Sequence, residues 1–211
     1  MGYDVTVCEA RDRVGGRAHS FHHIDKGKTV EGGGDLIGSN HPLWCEYAKT
    51  FGLRLDNAKD YGNSPVRIGG RTLSFEDCKL LIDEMEKHFE ELNLRSETIV
   101  DPFEPWTNPD AEFLDATSLS TWLSSLPCRG HWSKIALDAV QQLLVTDNGV
   151  PADQQSMLGV LAMIKGHGVD RYWTDTEVYR CRSGNQHLAA IFQEALGGER
   201  VFLNTKVSEA S

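Results

Sequence analysis

The run Val5-Thr6-Val7-Cys8-Glu9-Ala10-Arg11-Asp12-Arg13-Val14-Gly15-Gly16-Arg17 sets out groups in an order with chemical meaning. Val5 and Val7 alternate with Asp4 and Thr6, so Tyr3 to Glu9 reads as a strand that ends on a carboxylate. An acid at that place closes the second strand of a dinucleotide-binding βαβ unit, where it accepts hydrogen bonds from the adenosine ribose hydroxyls. Gly15 and Gly16 would then let backbone amides close on a pyrophosphate, and Arg17 would add a charge-assisted donor to the same group. The plainer reading is a strand followed by a solvated loop, and any one of these features alone would favour it.

Other polar groups carry less chemistry. His19, His22 and His23 fall on a stretch that reads as a strand, which puts His19 and His22 on opposite faces, so they are expected to be surface histidines and not metal ligands. His131 and His167 suit helix caps or loop contacts. No Ser, His and Asp grouping has the nucleophile-elbow form. Cys8, Cys45, Cys78, Cys128 and Cys181 are odd in number and far apart, which suggests reduced thiols. Trp106, Trp122, Trp132 and Trp173 are expected in the core or an interface. The pair Tyr172-Trp173 is a weaker candidate wall for a substrate passage.

The elements that must position these groups are legible in outline. Eight of the 20 glycines fall within the first 38 residues, which makes the N-terminal segment the expected ligand wall. Pro42 opens a helix with Ser39 or Asn40 to cap it, Leu43, Tyr47 and Phe51 on one face and Gly52 as its stop. Val66 to Phe75, broken by Gly69-Gly70, reads as a hairpin. A helix over Phe75 to Leu94 follows, with Cys78, Leu81, Ile82, Met85, Phe89 and Leu92 as its apolar positions. Its outer face carries seven acids against two lysines, half of the chain's net −10, and reads as solvated. Pro102, Pro105 and Pro109 mark a connection that excludes helix. Helices are then expected over Ser118 to Leu126, Ser133 to Thr146, Gln154 to Lys165 and Gln186 to Leu196, before a strand over Val201 to Val207.

With 211 residues, 40% hydrophobic and 25% charged, the chain has the composition of a folded globular protein. The acidic balance argues against nucleic acid or anionic membrane as a general partner. The longest apolar run, Leu158 to Ile164, is far too short to span a bilayer. The first residues lack the form of a secretory signal, so a cytoplasmic protein is expected.

Glu9 to Arg17 closely resembles the second FAD motif of the flavin-dependent amine oxidases, the family of monoamine, polyamine and L-amino-acid oxidases. Three further stretches fit in order. Glu31-Gly32-Gly33-Gly34-Asp35-Leu36-Ile37-Gly38 is similar to the segment that passes the isoalloxazine ring. Tyr179 to Gln186 resembles the loop before a helix, and Val201 to Val207 the strand pair returning to the FAD domain. The resemblance implies FAD as cofactor, held by Glu9 at the ribose, by Gly15, Gly16 and Arg17 at the pyrophosphate, by Gly33, Gly34, Asp35 and Leu36 at the flavin end, and by the Val207 backbone at the adenine, with Ala10 and Arg11 also among the cofactor-binding residues. It also implies oxidative deamination of an amine or amino acid, with hydride passing to flavin N5, imine hydrolysis, and O2 reoxidising the flavin to give H2O2. Leu36 stands where relatives often have Trp or Tyr, and Ser183 replaces a usual glycine.

The fold implied is α/β (α+β): a partial Rossmann-like FAD-binding domain with a mostly helical substrate domain inserted. Its parts are residues 1–60 and 181–211 for the first domain and 61–180 for the second. No strand, GxGxxG turn and helix stand before Glu9, and no active-site lysine, aromatic walls or last FAD motif follow, so an interior portion of an amine oxidase is expected, with no nameable catalytic residue and with weak or no binding of FAD by the isolated chain. The rivals are a non-catalytic truncated homologue that self-associates through an incomplete sheet, and an NAD(P)-dependent Rossmann enzyme, since Glu9 suits either dinucleotide. Gly15-Gly16-Arg17 directly after the acid tilts the reading to FAD.

Overall fold

The computed structural model describes residues 2–58 and 65–209. In chain order its elements are β1 (Val7–Cys8), β2 (Ser20–Phe21), β3 (Val30–Glu31), α1 (Pro42–Thr50), β4 (Leu55–Asn57), β5 (Arg67–Ile68), β6 (Arg71–Thr72), α2 (Phe75–Ser96), a 3-10 turn (Pro105–Thr107), α3 (Ala111–Ala116), α4 (Leu119–Ser125), α5 (His131–Asn148), α6 (Met157–Gly166), α7 (Asp170–Asp175), β7 (Tyr179–Cys181), α8 (Gln186–Leu196), a 3-10 turn (Gly198–Arg200) and β8 (Val201–Phe202). The chain is thus mixed α/β. It divides into two compact units, Met1–Gly62 with Thr174–Ser211, and Asn63–Trp173. No helix among the described residues is long and apolar enough to cross a membrane.

The first unit is built from short ladders. β1 pairs in parallel with β8, with Val7 opposite Val201 and Cys8 opposite Phe202. β2 pairs antiparallel with β3, and β4 antiparallel with β7. The strands expected over Tyr3 to Glu9 and Val201 to Val207 are regular for only two residues each. The cause at the second is a reversal at Asn204, whose φ is +53°; its N–H donates to Arg11 O and that of Thr205 to Glu9 O, which ends the ladder. On α1 the cap position is His41, with no side-chain cap bond. Leu43 is exposed, while Tyr47 and Phe51 stack on each other and meet the edge of Phe192 on α8.

The second unit is helical apart from the β5–β6 hairpin. Gly69 and Gly70 both have positive φ, +57° and +81°, as the two central residues of a type I′ turn require. α2 begins at Ser74, whose hydroxyl accepts from Asp77 N–H, a cap worth about 1 kcal/mol. Its buried stripe is Leu81, His88, Leu92 and Ser96, with Met85 and Phe89 packed beside it. Ile82, expected inside, is exposed, because the stripe that faces α5 and α6 includes the polar His88 and Ser96. Leu119 and Leu123 of α4, Val140 and Leu144 of α5, and Met157, Leu161 and Ile164 of α6 complete the core, each such aliphatic contributing about 1.5–3 kcal/mol by burial. α6 starts at Met157 and not at Gln154, because the Ser156 hydroxyl caps Gly159 N–H. The proline stretch does hold a 3-10 turn at Pro105–Thr107: a proline in the first position gives up no bond the turn needs. Trp106 is exposed, whereas Tyr172 is buried and Trp173 stacks on Phe89 and donates to Asn93 Oδ1 at 2.8 Å. Tyr172 belongs to the buried core of the second unit and Trp173 packs against it.

Candidate functional site

The glycine-rich N-terminal segment lies within the first unit. At the end of β1, Glu9 N–H donates to Phe202 O at 2.9 Å and Glu9 O accepts from Thr205 N–H at 2.8 Å. Its backbone is therefore held by the returning chain on both sides. The half-buried carboxylate accepts from Arg11 N–H at 2.8 Å through Oε1. Ala10 and Arg11 are exposed. Val207 lies two residues past Thr205, 62% exposed and outside any strand.

The chain then turns at Gly15 and Gly16, with φ of +104° and +54°. A side chain at Gly15 would be strained by that angle and would also place a Cβ 2.7 Å from Ala18 O. Arg13 binds this turn from within: its Nη1 donates to Ala18 O at 3.2 Å and its Nη2 to Gly16 O at 3.1 Å. Arg17, by contrast, is exposed and makes no side-chain hydrogen bond among the described residues. The role of Arg13 is not visible in the motif, where three arginines alternate with other residues over seven positions; only the path of the turn separates the one that binds inward.

The second glycine segment runs beside the first. Gly32 N–H donates to His19 O at 2.7 Å and Gly34 N–H to Arg17 O at 3.0 Å, extending the β2–β3 pairing past its regular end. Between these two rungs Gly33 lies so close to Arg17 O that a Cβ there would overlap it. Gly32, Gly33 and Gly34 are exposed along the strip. Asp35 pairs with Arg180 Nη2 at 2.6 Å, and Leu36 is half-buried. Glu31 accepts from Ser20 Oγ and from Asn185 N–H, both at 2.8 Å.

Beside the strip a cleft of about 560 Å3 is lined by Lys28, Glu31, Asp35, Asp56, Arg180 and Arg182, among others. Arg182 donates to both oxygens of Asp56 at 2.8 Å. Those bonds hold the Asp56 carboxyl below the usual carboxylate range, with desolvation opposing and the positive charges of Arg182 and Arg54 reinforcing the shift. Among the described residues no three His, Cys, Asp or Glu side chains converge as metal ligands would. His19 packs against the Phe21 ring with centroids 4.2 Å apart.

The structure therefore brings Arg17, just after the turn at Gly15 and Gly16, against Gly33 and Gly34, and joins Glu9 to the chain that returns through β8. It leaves Val207 at the margin. What assembles is an exposed backbone strip, with the Asp35–Arg180 pair at one end, that presents peptide groups and little side-chain bulk to a flat or extended ligand.

Residues 1–210 match the family described as flavin containing amine oxidoreductase. An L-amino-acid oxidase of Siganus canaliculatus is 34% identical over 55 residues, 26% of this chain and 10% of that protein. A triple variant of putrescine oxidase, from a structure-based redesign of its cofactor binding, superposes with a TM-score of 0.75 at 25% identity, over 94% of this chain and 45% of that one. Cyclohexylamine oxidase from Brevibacterium oxydans gives a TM-score of 0.81 at 19% identity, over 96% and 46%. The chain spans less than half the length of these solved structures, and its alignment to the curated relative covers about a tenth of that protein.

Proposed function

The chain belongs to the flavin-containing amine oxidoreductases, and from that premise we propose that its first unit is part of a Rossmann-like FAD site in an enzyme that oxidatively deaminates a small amine or amino acid. Putrescine oxidase, cyclohexylamine oxidase and L-amino-acid oxidase, its similar proteins, agree in acting on an amino group. O2 would be the second substrate. The helical second unit would contribute to the substrate side.

When bound, FAD supplies the two-electron oxidation of the amine. The residues of this chain would hold it. Glu9 would accept hydrogen bonds from the adenosine ribose, a role suited to a carboxylate whose backbone is fixed on both sides. Gly15 and Gly16, held from below by Arg13, would let the chain approach the pyrophosphate, and the exposed Arg17 would supply a charge to it. Gly33, Gly34, Asp35 and Leu36 would lie along the flavin end. The Val207 backbone would reach the adenine only if the segment after Thr205 closes toward Glu9.

The observation that carries this reading is the apposition of the two glycine segments through the Gly32–His19 and Gly34–Arg17 bonds. Gly33 can have no Cβ because the strip is so tight, and its exposed face can accept a planar group at backbone distance. The test is fluorescence titration of the purified chain with FAD and, separately, with NAD+. A weak but saturable change in flavin fluorescence with no competition from NAD+ is expected. No response to FAD, or equal competition by NAD+, would overturn the proposal.

A further inference from the structure

Two adjacent residues at the head of α8 reach two different glycine segments. Asn185 is buried. Its Nδ2 donates to Gly34 O and to Asp35 O, each at 2.9 Å, and its Oδ1 accepts from Cys181 N–H at 3.4 Å. Its own N–H donates to Glu31 Oε1. Gln186 Nε2 donates to Val14 O at 2.8 Å, and its Oε1 accepts from Ser20 N–H at 3.0 Å. The stem of Gln186 also bounds the turn at Gly15, where a Cβ would lie 2.8 Å from Cγ.

The chemistry of these contacts is specific to an amide. Two donors on one nitrogen bind two successive carbonyls, while the oxygen of the same group accepts a third bond; a carboxylate has no donor and a hydroxyl has one. Apart from the pairing of Asp35 with Arg180, the loop that Asn185 holds is tied through the backbone rungs at Gly32 and Gly34, because Gly32, Gly33 and Gly34 have no side chains with which to anchor themselves. Turning the Gly34 and Asp35 carbonyls toward Asn185 also keeps two oxygens away from the exposed face of the strip.

We infer that Asn185 and Gln186 form a positioning pair that sets the spacing between the turn at 14–17 and the loop at 33–36, and so the length of the flavin site, without touching the cofactor. This rests on the reading of those segments as the FAD site. The clamp and that reading are separable, since one concerns the chain alone and the other its ligand.

The test uses the full chain with Asn185→Asp, which keeps size and acceptor but removes both donors, and Gln186→Glu, which keeps the bond from Ser20 and removes the one to Val14. Residue-resolved hydrogen exchange without flavin should rise about tenfold, or about 1.4 kcal/mol, at Gly32 and Gly34 in the first variant. In the second it should rise at Ala18, whose N–H donates to Gly15 O. Amides of α5 should stay as in the unaltered chain in both. With FAD, Asn185→Asp should raise the dissociation constant about tenfold and alter the shape of the bound-flavin absorption bands. Unchanged exchange at Gly32 and Gly34 overturns the clamp. A rise spread over α5 in both variants assigns the pair a general structural role and also overturns it. If the unaltered chain takes up no FAD, the flavin reading falls and the exchange pattern still decides the clamp.

Discussion

Replacing Gly33 by alanine tests the tightness of the glycine strip directly. Gly33 stands between two rungs, Gly32 N–H to His19 O at 2.7 Å and Gly34 N–H to Arg17 O at 3.0 Å. A Cβ there would overlap Arg17 O and lie 3.0 Å from the Arg17 carbonyl carbon and 3.2 Å from His19 N. All three are backbone atoms, which cannot swing aside as a side-chain tip could, so relief requires the two segments to part and both rungs to lengthen. At about 0.5–1.5 kcal/mol net per hydrogen bond the loss is about 1–3 kcal/mol, in the range of other overpacked substitutions. For a chain of this size a loss of about 2 kcal/mol lowers Tm by about 4–8 °C. Gly34→Ala is the paired control. A Cβ at Gly34 meets nothing within 4 Å and its φ is not positive, so Tm should shift by less than about 2 °C, consistent with a change within about 0.5 kcal/mol. The same methyl occupies the face proposed for the flavin, so FAD affinity should fall although stability does not. Differential scanning calorimetry with FAD titration reads both. Equal Tm values for the two variants would refute the steric argument, and full FAD affinity in Gly34→Ala would remove the strip from the flavin site.

Glu9→Gln should weaken FAD about tenfold, as loss of a charged hydrogen-bond acceptor worth about 1.5–3 kcal/mol allows, while urea denaturation shows stability within about 0.5 kcal/mol of the unaltered chain. The Asp56 carboxyl is held below its unfolded value of about 3.9, chiefly by hydrogen bonds from Arg182. Its contribution to stability is therefore present above about pH 4 and lost as pH falls through the folded pKa. Urea melts from pH 6 down to about pH 3 should show the small difference between Asp56→Asn and the unaltered chain vanish in acid. Leu144→Ala, at a fully buried position on α5, should cost about 3–5 kcal/mol in the same assay, whereas Phe103→Ala, at an exposed one, should cost under about 0.5 kcal/mol.

Much of the local structure is written in short-range signals. Gln186 to Leu196 forms a helix with the expected bounds, because an apolar period followed by Gly197-Gly198 is complete within a dozen residues. The hairpin at Gly69-Gly70 is equally local, as two adjacent glycines supply both positive φ angles of its turn. A serine cap that shortens α6 to Met157 was open to the same kind of reading, since Ser156 stands directly before the apolar run; the helical period extends past it and masks the signal.

Strand length, by contrast, depends on a partner far along the chain. Val5 and Val7 alternate as a strand should, yet only Val7–Cys8 forms a ladder, since β8 opposite ends where the chain reverses at Asn204. On α2 the apolar period selects Ile82, but the neighbours α5 and α6 bury His88 and Ser96 instead, a choice made by helix orientation and not by hydrophobicity alone. At the glycine strip, residue type and order determined by themselves that backbone would be exposed where side chains are absent, and the family resemblance determined which chemistry that suggests. Only the tertiary structure decided that Arg13 and not Arg17 binds the turn from within, and that Asn185 and Gln186, more than 140 residues away, hold the two segments together. Periodicity and glycine act within a few residues of chain, whereas which donor meets which carbonyl is settled only when distant segments are packed side by side.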